Sequence, residues 1–429
     1  MLYQQTIETC FNAATSDSGL RKAVFEEIVA KTARGIDGLR KQHAEGSLPL
    51  LTLPKSCDDL IELAPIAKHH QECFEQVIVL GTGGSSLGAQ ALTALREPAS
   101  LPGLRFLENV DPQTFEALFA TTPVKKTGFL VISKSGDTAE TLTQFLTTLD
   151  WVRMNLSDAA IQERFTIITE PGDNTLRRLG ARWAIPCLDH DPCIGGRFSV
   201  LSLVGLLPAM IAGLDVHAVR KGAGVVLENT LFAKHPSESE AAVGAALHIA
   251  LSETQDIREV VFMPYLDRLA GLGRWYRQLW AESLSKGGHG TTPIQALGTV
   301  DQHSQLQLYL DGPKDKFFTL LFGENQGKGP KLSRELADDP ALDWLTNRRM
   351  GDLLEAEGQA TAETLACHGC PVRIFRVASV NEEVLGALLM HFMLETILVA
   401  DLLGVNAFTQ PSVEEGKRLA REYLSRITP

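Results

Sequence analysis

"GTGGSSLG", residues 81–88, stands between the apolar run Val77-Ile78-Val79-Leu80 and Ala89-Gln90-Ala91-Leu92, which reads as the opening of a helix. A buried strand, a Gly/Ser-rich turn and a helix, in that order, form the repeating unit of a doubly wound α/β fold. Such a turn suits an anion: glycines let backbone N–H groups approach it, and the helix N-terminus adds partial positive charge. Two nucleotide templates fit poorly. A dinucleotide fingerprint needs glycine where Ser86 stands, and the Walker A spacing of Gly83 and Gly88 is followed by Ala89 and Gln90 rather than Lys and Ser or Thr. A tight strand-to-helix turn with no ligand has the same local pattern.

The same unit recurs on either side. Apolar runs at 104–107, 128–132 and 165–168 each precede a helical pattern, opened by Asp111-Pro112 after the first and near Asp173-Asn174 after the third. This alternation predicts parallel strands joined by right-handed crossovers. Residues 198–255 are helical in pattern with no clear strand. A second α/β set follows, with strands at 260–263, 317–321 and 372–377, a long helix over 266–286, and helices near 384–403 and 413–426. The first 70 residues read as helical in patches, with loops around Gly46 and Pro54. The expected organisation is an N-terminal helical segment (1–70), a first domain (71–225) with the anion loops, and a second (226–429) ending in helices. Each domain is a doubly wound parallel sheet in a three-layer αβα sandwich.

The 429 residues suffice for two or three buried cores, and 44% hydrophobic with 21% charged residues is ordinary for a globular protein. A net charge of −12 argues against nucleic-acid binding, which wants a basic stripe, but not against a small anion met by a few local donors. Residues 199–214 are too short and too rich in Gly and Pro for a membrane span, and the N-terminus lacks a basic stretch leading into an apolar block, so a cytoplasmic location away from membranes is expected. Seven cysteines, an odd number, suggest reduced thiols. Cys367-His368-Gly369-Cys370 has no second pair at zinc spacing and is expected to be an ordinary turn.

A second polar loop, "SKSGDTAET" at 133–141, again lies between a buried strand and a helix. Ser133, Ser135, Thr138 and Thr141 bring hydroxyls, Lys134 brings a cation, and Gly136 permits a tight turn. With helix N-terminal amides these groups satisfy phosphate oxygens. Local capping, with Thr138 as N-cap, is the competing explanation. Both loops fall at the carboxyl ends of their strands, where ligands of such sheets bind.

"SKSGDTAET" resembles the phosphate loop of sugar isomerase (SIS) domains. Together with "GTGGSSLG", "GGRFSVLSLVGL" at 195–206, "QLWAESLSKGG" at 278–288, "QHSQLQLYLDG" at 302–312 and "NAFTQPSVEEGK" at 406–417, it resembles the glucose-6-phosphate isomerase family over roughly residues 77–417. The resemblance implies two SIS domains and reversible conversion of glucose 6-phosphate to fructose 6-phosphate through a cis-enediolate, in glycolysis and gluconeogenesis, with no metal or other cofactor. It implies Glu282 as the base acting between C1 and C2, Arg197 as the cation facing the enediolate, and His303 and Lys417 at ring opening. Gln278 and Gln410 would position sugar hydroxyls, and Gly84 and Ser85 would line the sugar side. Ser133, Lys134, Ser135, Thr138 and Thr141 would hold the phosphate. It also implies a homodimer in which His303 is contributed across the interface.

Taken singly, Glu282 also reads as a solvated helix carboxylate, Arg197 as a structural ion pair, and His303 and Lys417 as ordinary surface residues. His289, seven residues after Glu282, is a rival histidine whose neighbours do not match the family block. Gly136-Asp137 departs from the commoner loop and sets a carboxylate beside the anion site; Asp137 is alternatively a cap of the following helix. The family's "HQG" is here Leu310-Asp311-Gly312. Two other functions share the fold: a non-catalytic sugar-phosphate sensor, and an isomerase that also takes mannose 6-phosphate.

Overall fold

The computed structural model describes residues 2–11, 19–97, 102–336 and 339–427. Its strands are β1 (Gln4–Thr6), β2 (Gln76–Leu80), β3 (Gly103–Leu107), β4 (Thr127–Ile132), β5 (Phe165–Thr169), β6 (Cys187–Asp189), β7 (Glu259–Pro264), β8 (Thr292–Gln295), β9 (Lys316–Gly323) and β10 (Val372–Val377). Two five-stranded sheets result, in the orders β3-β2-β4-β5-β6 and β1-β10-β9-β7-β8. All pairings are parallel except β1 with β10, which is antiparallel. These are the paired αβα sandwiches that the resemblance to SIS domains implies.

The central strands read as unbroken apolar runs because both of their faces are covered. β4, β5 and β9 are buried along their whole length. Alternate residues serve different cores. Val77, Val79, Leu130 and Ile132 of the first sheet, and Val260, Phe262, Phe317 and Leu321 of the second, join one core with the helices Leu203–Ile211, Val216–Phe232, Glu240–Gln255, Ala270–Leu284 and Glu382–Leu403. Ile78, Leu80, Phe129 and Val131 face outward under the helices Pro112–Thr121 and Ala139–Asn155. Val261, Met263, Phe318 and Leu320 face outward under the helix Met350–Cys367.

The helix Glu382–Leu403 is long and apolar enough to cross a membrane, yet 94% of its apolar window is buried inside the protein. It carries a charge cluster of its own. Glu395, 0% exposed, accepts from Arg373 at 2.6 and 3.1 Å, from His248 Nε2 at 3.0 Å and from His391 Nε2 at 2.9 Å. Tyr3 Oη lies 2.7 Å from His391 Nδ1, so the N-terminal strand is tied into this cluster.

Three strands escape the pattern-based expectation: β1, β6 and β8. The expectation of an N-terminal segment that is helical in patches, with no strand, is therefore corrected at residues 4–6; residues 12–18 of that segment lie outside the described residues. Cys367 and Cys370 are free thiols, the first exposed and the second buried, at the turn that ends the helix Met350–Cys367.

Candidate functional site

In the first sheet β2 neighbours β3 on one side and β4 on the other, so the chain reverses its winding direction between β2 and β4. The loops after these strands, 81–86 and 133–138, flank the crevice where ligands of open α/β sheets bind. Across it lies the helix Ala270–Leu284, which packs on the helix Leu87–Thr93. Arg274 secures this contact by donating to Gln90 Oε1 and to Glu108 Oε2, each at 2.7 Å.

That helix delivers two of the expected residues. Gln278 Nε2 donates to Glu282 Oε1 at 2.9 Å, the i,i+4 spacing placing both on one face. Glu282 Oε2 accepts from Arg197 at 3.1 Å, with Glu282 about one third exposed (35%) and Arg197 almost wholly buried (2%). Arg197 comes from the 3₁₀ turn Gly196–Leu201. Its Nε donates to Ser283 Oγ at 2.8 Å, its Nη1 also to Gln410 Oε1 at 2.8 Å, and its Nη2 to the carbonyls of Ala407 at 2.5 Å and Thr409 at 3.2 Å. One guanidinium therefore joins the helix bearing Glu282 to the segment bearing Gln410. Burial lowers the Arg197 pKa, an effect that the neighbouring Glu282 opposes. Lys286 reaches back to the carbonyls of Glu282 and Ser283 at 2.8 and 2.5 Å, capping the helix beside the carboxylate.

The 81–88 turn closes against this group. A Cβ on Gly84 would lie 2.3 Å from the Gly196 carbonyl carbon, so only glycine lets the turn meet the strand of chain that carries Arg197. Ser199 Oγ donates to the carbonyls of Gly196 and Gly84, at 2.7 and 3.3 Å. Ser85 is half-buried in the turn, and its amide donates to the Thr82 carbonyl.

In the second loop Ser133 is buried and its hydroxyl lies 2.9 Å from Thr138 Oγ1. Thr138 does occupy the N-cap position of Ala139–Asn155, but its side chain makes no capping hydrogen bond; the hydroxyl faces the loop. Ser135 Oγ accepts from the Asp137 amide at 3.3 Å. Lys134 donates to the Pro192 carbonyl at 2.7 Å and pairs with Glu170 at 3.3 Å. Gly136 has φ +69°, and a Cβ there would lie 2.0 Å from Asn174 Oδ1, the N-cap of the helix Thr175–Arg182. Asp137 does not cap the helix that follows it, Ala139–Asn155, as the sequence allowed; its carboxylate accepts instead from the Thr175 amide at 3.3 Å, at the first residue of the helix Thr175–Arg182. Thr141 Oγ1 and Gln278 Oε1 are buried with no hydrogen-bond partner among the described residues, which marks them for a further partner.

Glu282, Arg197, Gln278, Gln410 and the Gly84 turn thus come together, and the hydroxyl loop flanks the same crevice. His303 and Lys417 are not part of this network. His303 is exposed on the short helix Val300–Ser304, whose turn is held by Asp301 through the Leu297 amide at 2.7 Å and Ser304 Oγ at 2.6 Å. Lys417 is exposed and pairs with Glu414 at 2.7 Å. His289 is exposed as well. Ser283, Lys286 and Arg274 belong to the site's framework without having been singled out by sequence; Ser283 and Lys286 lie inside the quoted block at 278–288 but have no spacing that distinguishes them.

Residues 66–314 match the family model described as phosphoglucose isomerase. The chain is 35% identical over 424 residues to the glucose-6-phosphate isomerase of Rubrobacter xylanophilus, covering 97% of each chain. Among solved structures it is similar to a hypothetical protein from Thermus thermophilus, with TM-score 0.86, 30% identity and coverage of 99% of this chain and 100% of that one. A glucose-6-phosphate isomerase from Chlamydia trachomatis shares the fold, with TM-score 0.81 at 19% identity, covering 99% of this chain and 88% of that one.

Proposed function

The chain belongs to the phosphoglucose isomerase family, and we propose that the crevice between Arg197, Glu282 and the loop at 133–141 interconverts glucose 6-phosphate and fructose 6-phosphate. The observation that carries this reading is the Glu282 carboxylate, partly open to the crevice and held by Arg197 and Gln278. In the open-chain aldose Glu282 takes the proton from C2, the electron pair forms the C1–C2 double bond of an enediolate, and the C2 hydroxyl proton passes to O1. Return of the proton from Glu282 to C1 gives the ketose. Arg197 sits within reach of the same carboxylate, where a fixed cation stabilises charge developing on the enediolate oxygens. The phosphate belongs in the 133–141 loop, which has Ser133, Ser135, Thr138 and Thr141 hydroxyls and the start of a 17-residue helix. Binding there fixes C1 and C2 against the base, which converts remote binding energy into orientation.

His303 and Lys417 serve ring opening in this proposal. Because His303 is exposed and apart from Glu282, it reaches a site by projecting into that of a partner subunit, so the proposal includes a homodimer. It also places the chain in the cytoplasm, with the sugar phosphates. The test is Glu282→Gln, assayed by coupled detection of product from fructose 6-phosphate and, separately, mannose 6-phosphate. Turnover on fructose 6-phosphate should fall about 100-fold or more while sugar phosphate still binds, the scale of a removed general base. Near-normal turnover would overturn the assignment of the base.

A further inference from the structure

Between the end of β6 at Asp189 and Arg197 the chain runs His190-Asp191-Pro192-Cys193-Ile194-Gly195-Gly196, and this segment meets several parts of the crevice. It starts against β5, where the His190 amide donates to the Thr169 carbonyl at 2.9 Å. His190 and Ile194 are buried, and His190 Nε2 lies 3.0 Å from the Ile194 carbonyl, an acceptor that fixes the Nε2–H tautomer. The Asp191 carboxylate accepts from the Cys193 amide at 2.8 Å, and the Asp191 carbonyl from the Ile194 amide at 3.1 Å. These bonds close the segment into a turn, so a pull on Pro192 is passed along the chain. At its far end Gly196 meets Gly84 of the sugar-side turn, and Arg197 follows.

Lys134 fastens the phosphate loop to this turn. Its ammonium donates to the Pro192 carbonyl at 2.7 Å and pairs with Glu170 at 3.3 Å, the two side chains being only 32% and 30% exposed. The backbone of Lys134 is held from the same side: its carbonyl accepts from the Glu170 amide at 2.9 Å and from Thr169 Oγ1 at 3.1 Å. Glu170 is anchored in turn, its carbonyl accepting from Asn174 Nδ2 at 3.2 Å and from Arg177 at 3.2 and 3.0 Å. The ammonium therefore has two partners within the protein, both away from the loop's hydroxyls. Ser133, Ser135, Thr138, Thr141 and the helix start at Ala139 supply donors for a phosphate without it.

We propose that Lys134 is a positioning residue: its ammonium, aimed by Glu170, ties the phosphate loop to the Pro192 turn and so holds Arg197, five residues on, in place for the enediolate. The phosphate itself is held by the hydroxyls and the helix amides. When the loop settles on a phosphate it carries the Arg197 turn with it, which couples anchoring at one end of the sugar to charge stabilisation at the other. The inference rests on the assignment of 133–141 to the phosphate and of Arg197 to the enediolate.

The experiment uses the full chain with Lys134→Met, Lys134→Arg and Glu170→Gln, each with a urea midpoint to establish that it is folded. Turnover of fructose 6-phosphate is measured alone, against inorganic phosphate, and against arabinonic acid 5-phosphate, whose carboxylate stands in for the anionic enediolate. Lys134→Met should lower kcat about 10- to 100-fold, the scale of a misplaced catalytic group, and weaken the aldonate by a similar factor. Its KM and its inhibition by inorganic phosphate should change no more than about threefold. Lys134→Arg still donates to both acceptors and should keep kcat within about fivefold of the parent. Glu170→Gln should lower kcat about two- to fivefold, the scale of a part-exposed ion pair, with inhibition by phosphate unchanged. Phosphate inhibition weakened about tenfold or more in Lys134→Met would place the ammonium on the phosphate and overturn the proposal, as would kcat within about threefold of the parent. Should Lys134→Met not fold, Glu170→Gln decides: tighter inhibition by phosphate at unchanged kcat would overturn it equally. A parent enzyme in which inorganic phosphate does not compete with fructose 6-phosphate would overturn the loop assignment itself, and the role of Lys134 with it.

Discussion

Arg197→Lys keeps the positive charge and removes the fork. Arg197 serves five acceptors from three nitrogens: Ser283 Oγ, Glu282 Oε2, Gln410 Oε1 and the carbonyls of Ala407 and Thr409. A lysine ammonium offers three protons from one atom, so at least two of these acceptors lose their donor. Ser283 and Ala407 are buried, and each buried acceptor left unpaired costs about 1–3 kcal/mol, so losing the donors to both would cost about 2–6 kcal/mol, shared between the tether at 407–410 and the helix end that carries Glu282. If the charge stabilising the enediolate is displaced as well, the loss resembles that of one oxyanion donor, about 100- to 1000-fold in kcat. Coupled assay of fructose 6-phosphate conversion should therefore show kcat down about 100-fold or more, with KM changed far less. Urea denaturation of the same preparation separates this from unfolding, because the variant must be assayed where it is folded. Arg197→Lys with kcat within about threefold of the parent would refute the idea that the shape of the guanidinium, rather than its charge, organises the site.

Three further outcomes follow from the packing. Arg373→Met strands the Glu395 carboxylate at 0% exposure, so urea denaturation should report a loss of about 3–5 kcal/mol; Arg373→Met with Glu395→Leu should recover much of it, and equal losses in the two proteins would contradict the role of the stranded charge. Burial brings the pKa values of both His70 and His248 down from 6.5 to about 4. Their unfolded forms take up a proton below about pH 6.5 and the folded forms resist it until about pH 4, so stability is full above the first value and falls by about 3 kcal/mol per histidine on the way down; an unchanged urea midpoint between pH 7 and pH 4.5 would oppose this. Gly84→Ala sets a methyl 2.3 Å from the Gly196 carbonyl carbon, and the forced separation should cost about 1–3 kcal/mol and most of the turnover; a fully active variant would show that the two segments need not touch.

What the sequence revealed divides along the sheets. The central strands were legible because burial on both faces makes them continuous apolar runs, as in Val77 to Leu80 and Phe129 to Ile132. The three that escaped, β1, β6 and β8, are all edge strands of three or four residues. One flank of each is unpaired, so Gln4 and Gln5 in β1 and Pro293 in β8 are tolerated there and blur the pattern. The site was legible to the extent that ordered blocks accompany it. Glu282 and Arg197 stand 85 positions apart, and no periodicity links them; their contact depends on how the helix Ala270–Leu284 crosses the first sheet. Arg274 had no signal because its partners, Gln90 and Glu108, lie in the helix and the loop that follow two strands of the other sheet. The hydroxyl of Thr138 went to Ser133 instead of the helix amides, a choice made by the loop's tertiary closure.

The pairing of Gln4 with Arg376 gives the molecule an order of assembly. The first sheet uses only residues 76–189 and can close while the rest of the chain is still being made. The second cannot: its edge β1 leaves the ribosome first and its neighbour β10 near the end, an interval of about 20–75 s at ordinary rates of synthesis. Throughout that time Tyr3 has no His391 to meet, and afterwards β10 has an open edge until the N-terminus returns to it. A chain deprived of its first strand would keep the first sheet and present β10 as an unpaired edge to other molecules, so aggregation during expression, rather than loss of catalytic groups, would be its first defect.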